Sequence, residues 1–424
     1  MALRTFISRT ARPLAIAAVA LLTLSLFTVA QIGPAFAHGE RAQTANLRMR
    51  TINWYDTEVS PKQVAVGDEM VIRGRFETSK YWPEHVPSVT GRVYLNVGAA
   101  GPKFIKIKST INGKSMFQSS QLELGKHYEY EIILKARVPG RFHLHPVLNV
   151  LDSGALIGPG YWVDTTGSFA DFSNTVETMF GRTIDLETFN LDIIYSWHAL
   201  WFVMALAWLG FWGRKSPLLI QSLRRVRQKE EAGEDPDTLI SPMEKKVAVG
   251  FMVVTLMIIG AGFQWAEARH PVTTPLRTAK MDVDPLPLPD PNIIIEYGGA
   301  TYRIPGRSFQ AEFSVTNNGP SPVRIGEFLT ANLRFINSAV RNVQPADSHD
   351  LVASDGLRIE GGPVPPGETR KLKMFAEDAL WETYRLTTMI NDPDSIVAGL
   401  VFFYGDDGSR EIVEIGGPMI PVFE

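Results

Sequence analysis

The chain has 424 residues and a formal net charge of −3 at neutral pH. That length suits two or three domains with separate cores, and the charge lacks the basic excess that would point to a nucleic-acid partner. Cysteine is absent, which excludes disulfides, thiolate catalysis, zinc–thiolate sites and iron–sulfur clusters and leaves imidazole, carboxylate and amine as metal donors.

Arg4, Arg9 and Arg12 precede an apolar run from Leu14 to Ala30, and Pro34-Ala35-Phe36-Ala37 ends in the small residues of a cleavage site. Residues 1–37 are therefore predicted to be an export signal. Cleavage makes His38 the first residue, with a free amine beside its imidazole; the alternative is an uncleaved anchor, in which that amine is an amide.

Residues 38–185 read as an exported, mostly β domain. Val64–Phe76 has a strand, a Gly-Asp turn and a second strand, and His127–Leu134 has the alternation and β-branched content of a half-buried strand. Val138-Pro139-Gly140 turns the chain into Arg141-Phe-His143-Leu-His145-Pro146. Side chains two apart in a strand project to one face, so His143 and His145 can reach a common point. Gly158-Pro159-Gly160 punctuates the chain beyond that strand, and short strands with frequent turns favour a sandwich or barrel.

The middle of the chain changes solvent. Residues 192–212 and 247–265 are apolar segments with Trp near their ends, and about 20 residues suffice to cross the hydrocarbon core; buried helices of a soluble domain are the alternative. Arg214, Lys215, Arg224, Arg225, Arg227, Lys229, Lys245 and Lys246 crowd the connecting residues 213–246. The bias places that loop in the cytoplasm and both large domains on the periplasmic side. Residues 270–424 form a second β domain. Its strands follow a Pro-rich linker, Pro285 to Pro291, predicted to be extended and semi-rigid. Ser308–Asn317 alternates like a strand before an Asn318-Gly319 turn, and a turn at Gly367-Glu368 resembles the one at Gly125-Lys126, a hint that the second domain repeats the first.

The α-amine and Nδ1 of a terminal His38, with the imidazoles of His143 and His145, would supply four nitrogen donors. That set suits copper and not the oxygen-seeking calcium or magnesium; zinc accepts the same donors, and the competing reading is three unrelated histidines. His85 and His127 read as surface or turn residues, His349 as part of a polar loop, and His270 as the exit of the second crossing. His198 lies in an apolar segment, open equally to packing and to a metal or partner role. Asp56, Asp68, Asp185 and Glu187 read as solvated or capping carboxylates, and no phosphate loop or dinucleotide motif is present.

His38-Gly39-Glu40-Arg41, Leu47-Arg48-Met49-Arg50-Thr51, Trp54-Tyr55-Asp56, Leu95-Asn-Val-Gly98, Pro139-Gly140 with His143 and His145, Gly158-Pro159-Gly160, Ile325-Gly326-Glu327-Phe328, Asp392-Pro393-Asp394-Ser395 and Gly417-Pro418-Met-Ile-Pro421 resemble the B subunit of the copper membrane monooxygenases. The resemblance implies a mostly β chain: two cupredoxin-like β-sandwich domains, both periplasmic, joined by two transmembrane helices in an inner or intracytoplasmic membrane. It implies A and C subunits as partners in a trimer of heterotrimers, copper as cofactor, and His38, His143 and His145 as its ligands. The implied reaction is dioxygen-dependent oxidation of methane to methanol with electrons from quinol or a related donor. Ammonia oxidation to hydroxylamine is the alternative, and a non-enzymatic copper-binding or assembly module a further one. Whether oxygen is activated at this chain's copper or in another subunit is left open. Some members have histidines where this chain has Asn53 and Glu77, so a second copper site is not expected here, and the C-terminal domain is expected to keep the fold without copper.

Overall fold

A computed structural model describes residues 43–423 except 100, 179, 214–218, 272–280, 304–307, 342, 344–350 and 379–393. The expected export signal, His38 and His349 lie outside the described residues. The chain forms two compact units, one built from the sequence before residue 173 and after residue 277, the other from 173–277 between them.

The first unit contains both β domains. In the N-terminal one, Lys126–Ala136 alternates so that Tyr128, Tyr130, Ile132, Leu134 and Ala136 all face inward. It is the central strand of a five-stranded sheet ordered Ile52–Ser60, Glu69–Thr78, Lys126–Ala136, Phe104–Ile111 and Lys114–Ser115. The opposing sheet places Gly140–Val150 between Val93–Gly98 and Tyr161–Thr166. The two sheets share one core, in which Trp54 meets Phe76 at 5.2 Å and the edge of Tyr130 at 5.1 Å. Each such buried ring contributes about 2–3 kcal/mol.

The Pro-rich linker is not a free spacer, because the chain just before it is built into the N-terminal domain. Met281 and Asp282 pair in parallel with Ser120 and Gln121 as the edge of that second sheet. Val283 is buried in the N-terminal core, Lys114 holds Asp284 at 2.7 Å, and the Leu286 N–H donates to the His127 carbonyl at 2.9 Å.

The C-terminal β domain is a nine-stranded sheet with Ile396–Gly405, Arg410–Val422 and Ile293–Arg303 at its centre. Ser308–Asn317 is a strand over the predicted residues. Phe309 on that strand stacks on Phe328 of Val323–Thr330 at 5.6 Å, although three strands separate the two in the sheet. The sheet therefore curls around its own core. Ile396–Gly405 is buried along almost its whole length, the mark of a strand covered on both faces.

In the second unit, helices Leu191–Gly213 and Pro242–Arg269 are long and apolar enough to cross a membrane. The second starts at Pro242 because Ser241 caps it: its hydroxyl accepts the Glu244 N–H, while its own N–H donates to the Glu244 carboxylate at 2.8 Å. Trp208 packs on Phe251 at 4.9 Å, and a Cβ on Gly262 would run into the Trp197 ring at 2.5 Å, so the two helices approach closely. Thus two β-rich domains are separated in sequence by two apolar helices, the expected architecture.

Candidate metal centre

Gly140 opens its strand with φ of 141°, a conformation that side chains disfavour. From there Leu144 and Leu148 face the core while His143 and His145 occupy the other face. His145 is buried and His143 half-buried. The His145 Nδ1–H donates to the Gly158 carbonyl at 2.8 Å. That bond leaves Nε2 as the acceptor nitrogen, and Nε2 faces His143 Nδ1 at 3.2 Å. A backbone carbonyl that fixes a ring's tautomer is the usual support of a metal-binding imidazole.

The neighbouring strand makes the space. Trp162 stands directly opposite His143, with ring centroids 4.7 Å apart and planes tilted by 32°. Arg141 lies over the ring of Trp162 at 5.0 Å and reaches Asp164, its own cross-strand partner, at 3.8 Å. Gly160 is the decisive small residue. A Cβ there would collide with His143 and, at 2.6 Å, with His145 Cε1. Any other residue at 160 would displace both imidazoles, so the backbone yields the room in which two ring nitrogens converge.

The structure thus brings together two of the three predicted donors, His143 and His145, and His38 lies outside the described residues. Among the described residues, no group of three or more His, Asp or Glu side chains is arranged to hold a metal. The supporting roles of Gly160 and Trp162 were missed from sequence, where Gly160 read as punctuation and as part of a family-like motif; the pairing of Trp162 with His143 is set by strand register.

Other expectations are corrected. His127 is neither a turn nor a surface residue: it sits within a strand and hydrogen-bonds through Nδ1 to the Tyr55 hydroxyl at 2.9 Å. Burial first, then the charges of Arg75 and Lys126, push its pKa down to about 4. Asp56 is not a solvated turn carboxylate. It holds the Arg410 guanidinium by two bonds of 2.8 and 2.9 Å, joining the two β domains. Asn53 and Glu77, paired across adjacent strands, are both buried, and Asn53 Nδ2 donates to Glu77 Oε2 at 2.8 Å. His198 bonds the Ile194 carbonyl of its own helix at 2.7 Å, and His85 is exposed. A cleft of about 600 Å³ lies between the β domains, lined among others by Tyr55, Arg73, Arg334 and Arg410; neither His143 nor His145 lines it.

The family model that describes the B-subunit protein of monooxygenases matches residues 39–423. The chain belongs to the monooxygenase B-subunit family. This B-subunit chain is 42% identical over 410 residues to the particulate methane monooxygenase alpha subunit of Methylococcus capsulatus (Bath), covering 96% of this chain and 97% of the relative. The crystal structure of the cupredoxin domain of amoB from Nitrosocaldus yellowstonii is 16% identical and covers 29% of this chain and 91% of that one, with a TM-score of 0.23. As a B subunit the chain is part of a multi-subunit monooxygenase in the membrane. Its two apolar helices cross that membrane and its β domains are periplasmic.

Proposed function

We propose that this B subunit serves a copper-dependent monooxygenase that oxidises methane to methanol with dioxygen, and that His38, His143 and His145 hold its copper. The observation that carries the reading is the pair of ring nitrogens 3.2 Å apart in a space cleared by Gly160. Supporting it, the Methylococcus capsulatus relative, named as a particulate methane monooxygenase subunit, matches along almost the whole chain.

The donor set fits copper: imidazoles without thiolate or carboxylate, one of them with its tautomer set by Gly158. In this proposal residues 1–37 are removed and His38 adds its amine and Nδ1. Copper held there supplies a one-electron couple able to deal with dioxygen. The chain's own contribution is to fix the rings. His145 is held by the Gly158 carbonyl, His143 by the face of Trp162, and the pair is shielded on one side by the Arg141–Trp162 layer. Residues 38–185 and 270–424 are the two periplasmic domains and 213–246 the cytoplasmic connection in this reading. The A and C subunits complete a trimer of heterotrimers that draws electrons from quinol or a related donor.

The test is product formation by copper-supplied native membranes, with methane and ammonia offered separately at matched oxygen and reductant. Preferential methanol formation supports the proposal. Preferential hydroxylamine formation would overturn the substrate while leaving the ligand assignment to metal analysis.

A further inference from the structure

A second polar centre lies in the other sheet of the N-terminal β domain, away from the histidine pair. Glu77 is 1% exposed near the end of Glu69–Thr78, with Asn53 directly beside it on one neighbouring strand and His127 on the other. Glu414 reaches it from Arg410–Val422 of the C-terminal domain, and the two carboxyl groups hydrogen-bond to each other. Glu414 also accepts the Ser79 hydroxyl and, at 3.2 Å, the Lys80 N–H. The strands are pressed together here: a Cβ on Gly416 would enter the Tyr81 ring at 2.5 Å.

Hydrogen-bond valence decides the protonation. An ionised carboxylate only accepts, so two carboxyl groups bonded to each other must hold a proton between them. Glu414 collects two donors from the backbone and side chains at 79–80, whereas Glu77 is the more deeply buried and receives one amide donor from Asn53. The proton therefore belongs to Glu77 and the charge to Glu414.

We propose that the proton shared by Glu77 and Glu414 is a latch that docks the C-terminal β domain on the N-terminal one, and that its loss loosens the contact. The facing groups offer little to replace it. Lys80 is exposed and neutralises only from the rim, while His127 and Tyr55 are held neutral. Burial first, and then the Glu414 charge, place the Glu77 pKa well above the ordinary carboxylate range; burial raises Glu414 as well. A raised carboxyl pKa means that the docked state binds the extra proton. The docking free energy is therefore fully present at acid pH and is lost as pH rises through the pair's titration.

Amide exchange of the intact complex in its membrane, corrected for intrinsic rates and followed over segments 79–82 and 411–417, reads the latch. Wild-type protection at the Lys80 amide should fall about tenfold per pH unit between the ordinary carboxylate range and the raised titration of the docked pair, and level off above it. Glu77→Gln, whose amide donates without titrating, should flatten the profile, and Glu414→Gln should flatten it as well. The infrared band of a buried protonated acid should be present in the wild type and absent in Glu77→Gln. A wild-type profile without pH dependence, or Gln variants that lower protection equally at every pH, would mean an ordinary structural bond and overturn the latch. Absence of the infrared band in the wild type would overturn it without recourse to any variant.

Discussion

The two sheets of the N-terminal β domain each carry a polar row, and the rows are built in opposite ways. In the sheet with Gly140–Val150, His143 and His145 face across to Trp162 and Gly160, and the glycine leaves the space above the rings clear. In the other sheet, Asn53, Glu77 and His127 lie side by side on three strands and spend their polar groups on one another, on Tyr55 and on Glu414. Both rows are buried or half-buried and both are hydrogen-bonded. The difference is that one keeps ring nitrogens turned toward a shared point, while the other spends its hydrogen bonds on neighbours from other strands and ties two domains together. A count of ionisable residues would not separate them; the glycine does.

The comparison breaks most severely if the histidines are removed. Replacing both His143 and His145 by alanine should abolish copper bound by this chain, read by metal analysis and by loss of its paramagnetic resonance signal; full retention of copper would place the site elsewhere. Gly160→Ala asks whether the space matters as much as the ligands. Its Cβ should weaken copper binding by about 10–100-fold, the cost typical of disturbing groups that orient a ligand, with the cooperative unfolding transition retained. An affinity equal to wild type would remove Gly160 from the centre.

Trp162 offers a milder cut. Trp162→Ala should weaken copper by about tenfold and broaden its hyperfine lines as His143 gains freedom, whereas Trp162→Phe should restore most of both; identical spectra for all three would assign the ring to surface packing.

The smallest effect belongs to the closed row. His127 titrates in the fold at about 4, below its ordinary value of 6.5, so the unfolded chain takes up more protons between those limits. Stability should therefore fall as the medium is acidified below 6.5, by about 1 kcal/mol at pH 5.5. His127→Asn should remove that dependence, as judged by unfolding midpoints across the range. This slope is opposite in sign to that of the adjoining Glu77–Glu414 pair, which weakens as pH rises, so the two offset each other where their windows overlap and the single variants separate them.

Much of this was legible in the sequence because it is local. The two-residue spacing of His143 and His145 needs only strand periodicity, Ser308–Asn317 announces itself by alternation, and the apolar helices by length. What escaped is set by long-range register. Nothing near Gly160 says that it will stand over two imidazoles, and nothing near Glu77 points to Glu414 in the other domain. Asp56 and His127 read as solvated because their partners, Arg410 and Tyr55, arrive from distant strands. Composition marks Pro285–Pro291 as a linker, but composition cannot specify the surface along which such a segment lies.

The short return strand Met281–Asp282 imposes an order on biogenesis. The edge of the N-terminal domain at Ser120–Gln121 is completed by Met281–Asp282, which the ribosome supplies only after both apolar helices. Domains ordinarily fold as they emerge, the first before the next. Here the first exported domain must wait, with an open sheet edge and without Val283 in its core, until the chain has entered the membrane, turned and returned. Its final closure is thus a report that insertion has succeeded.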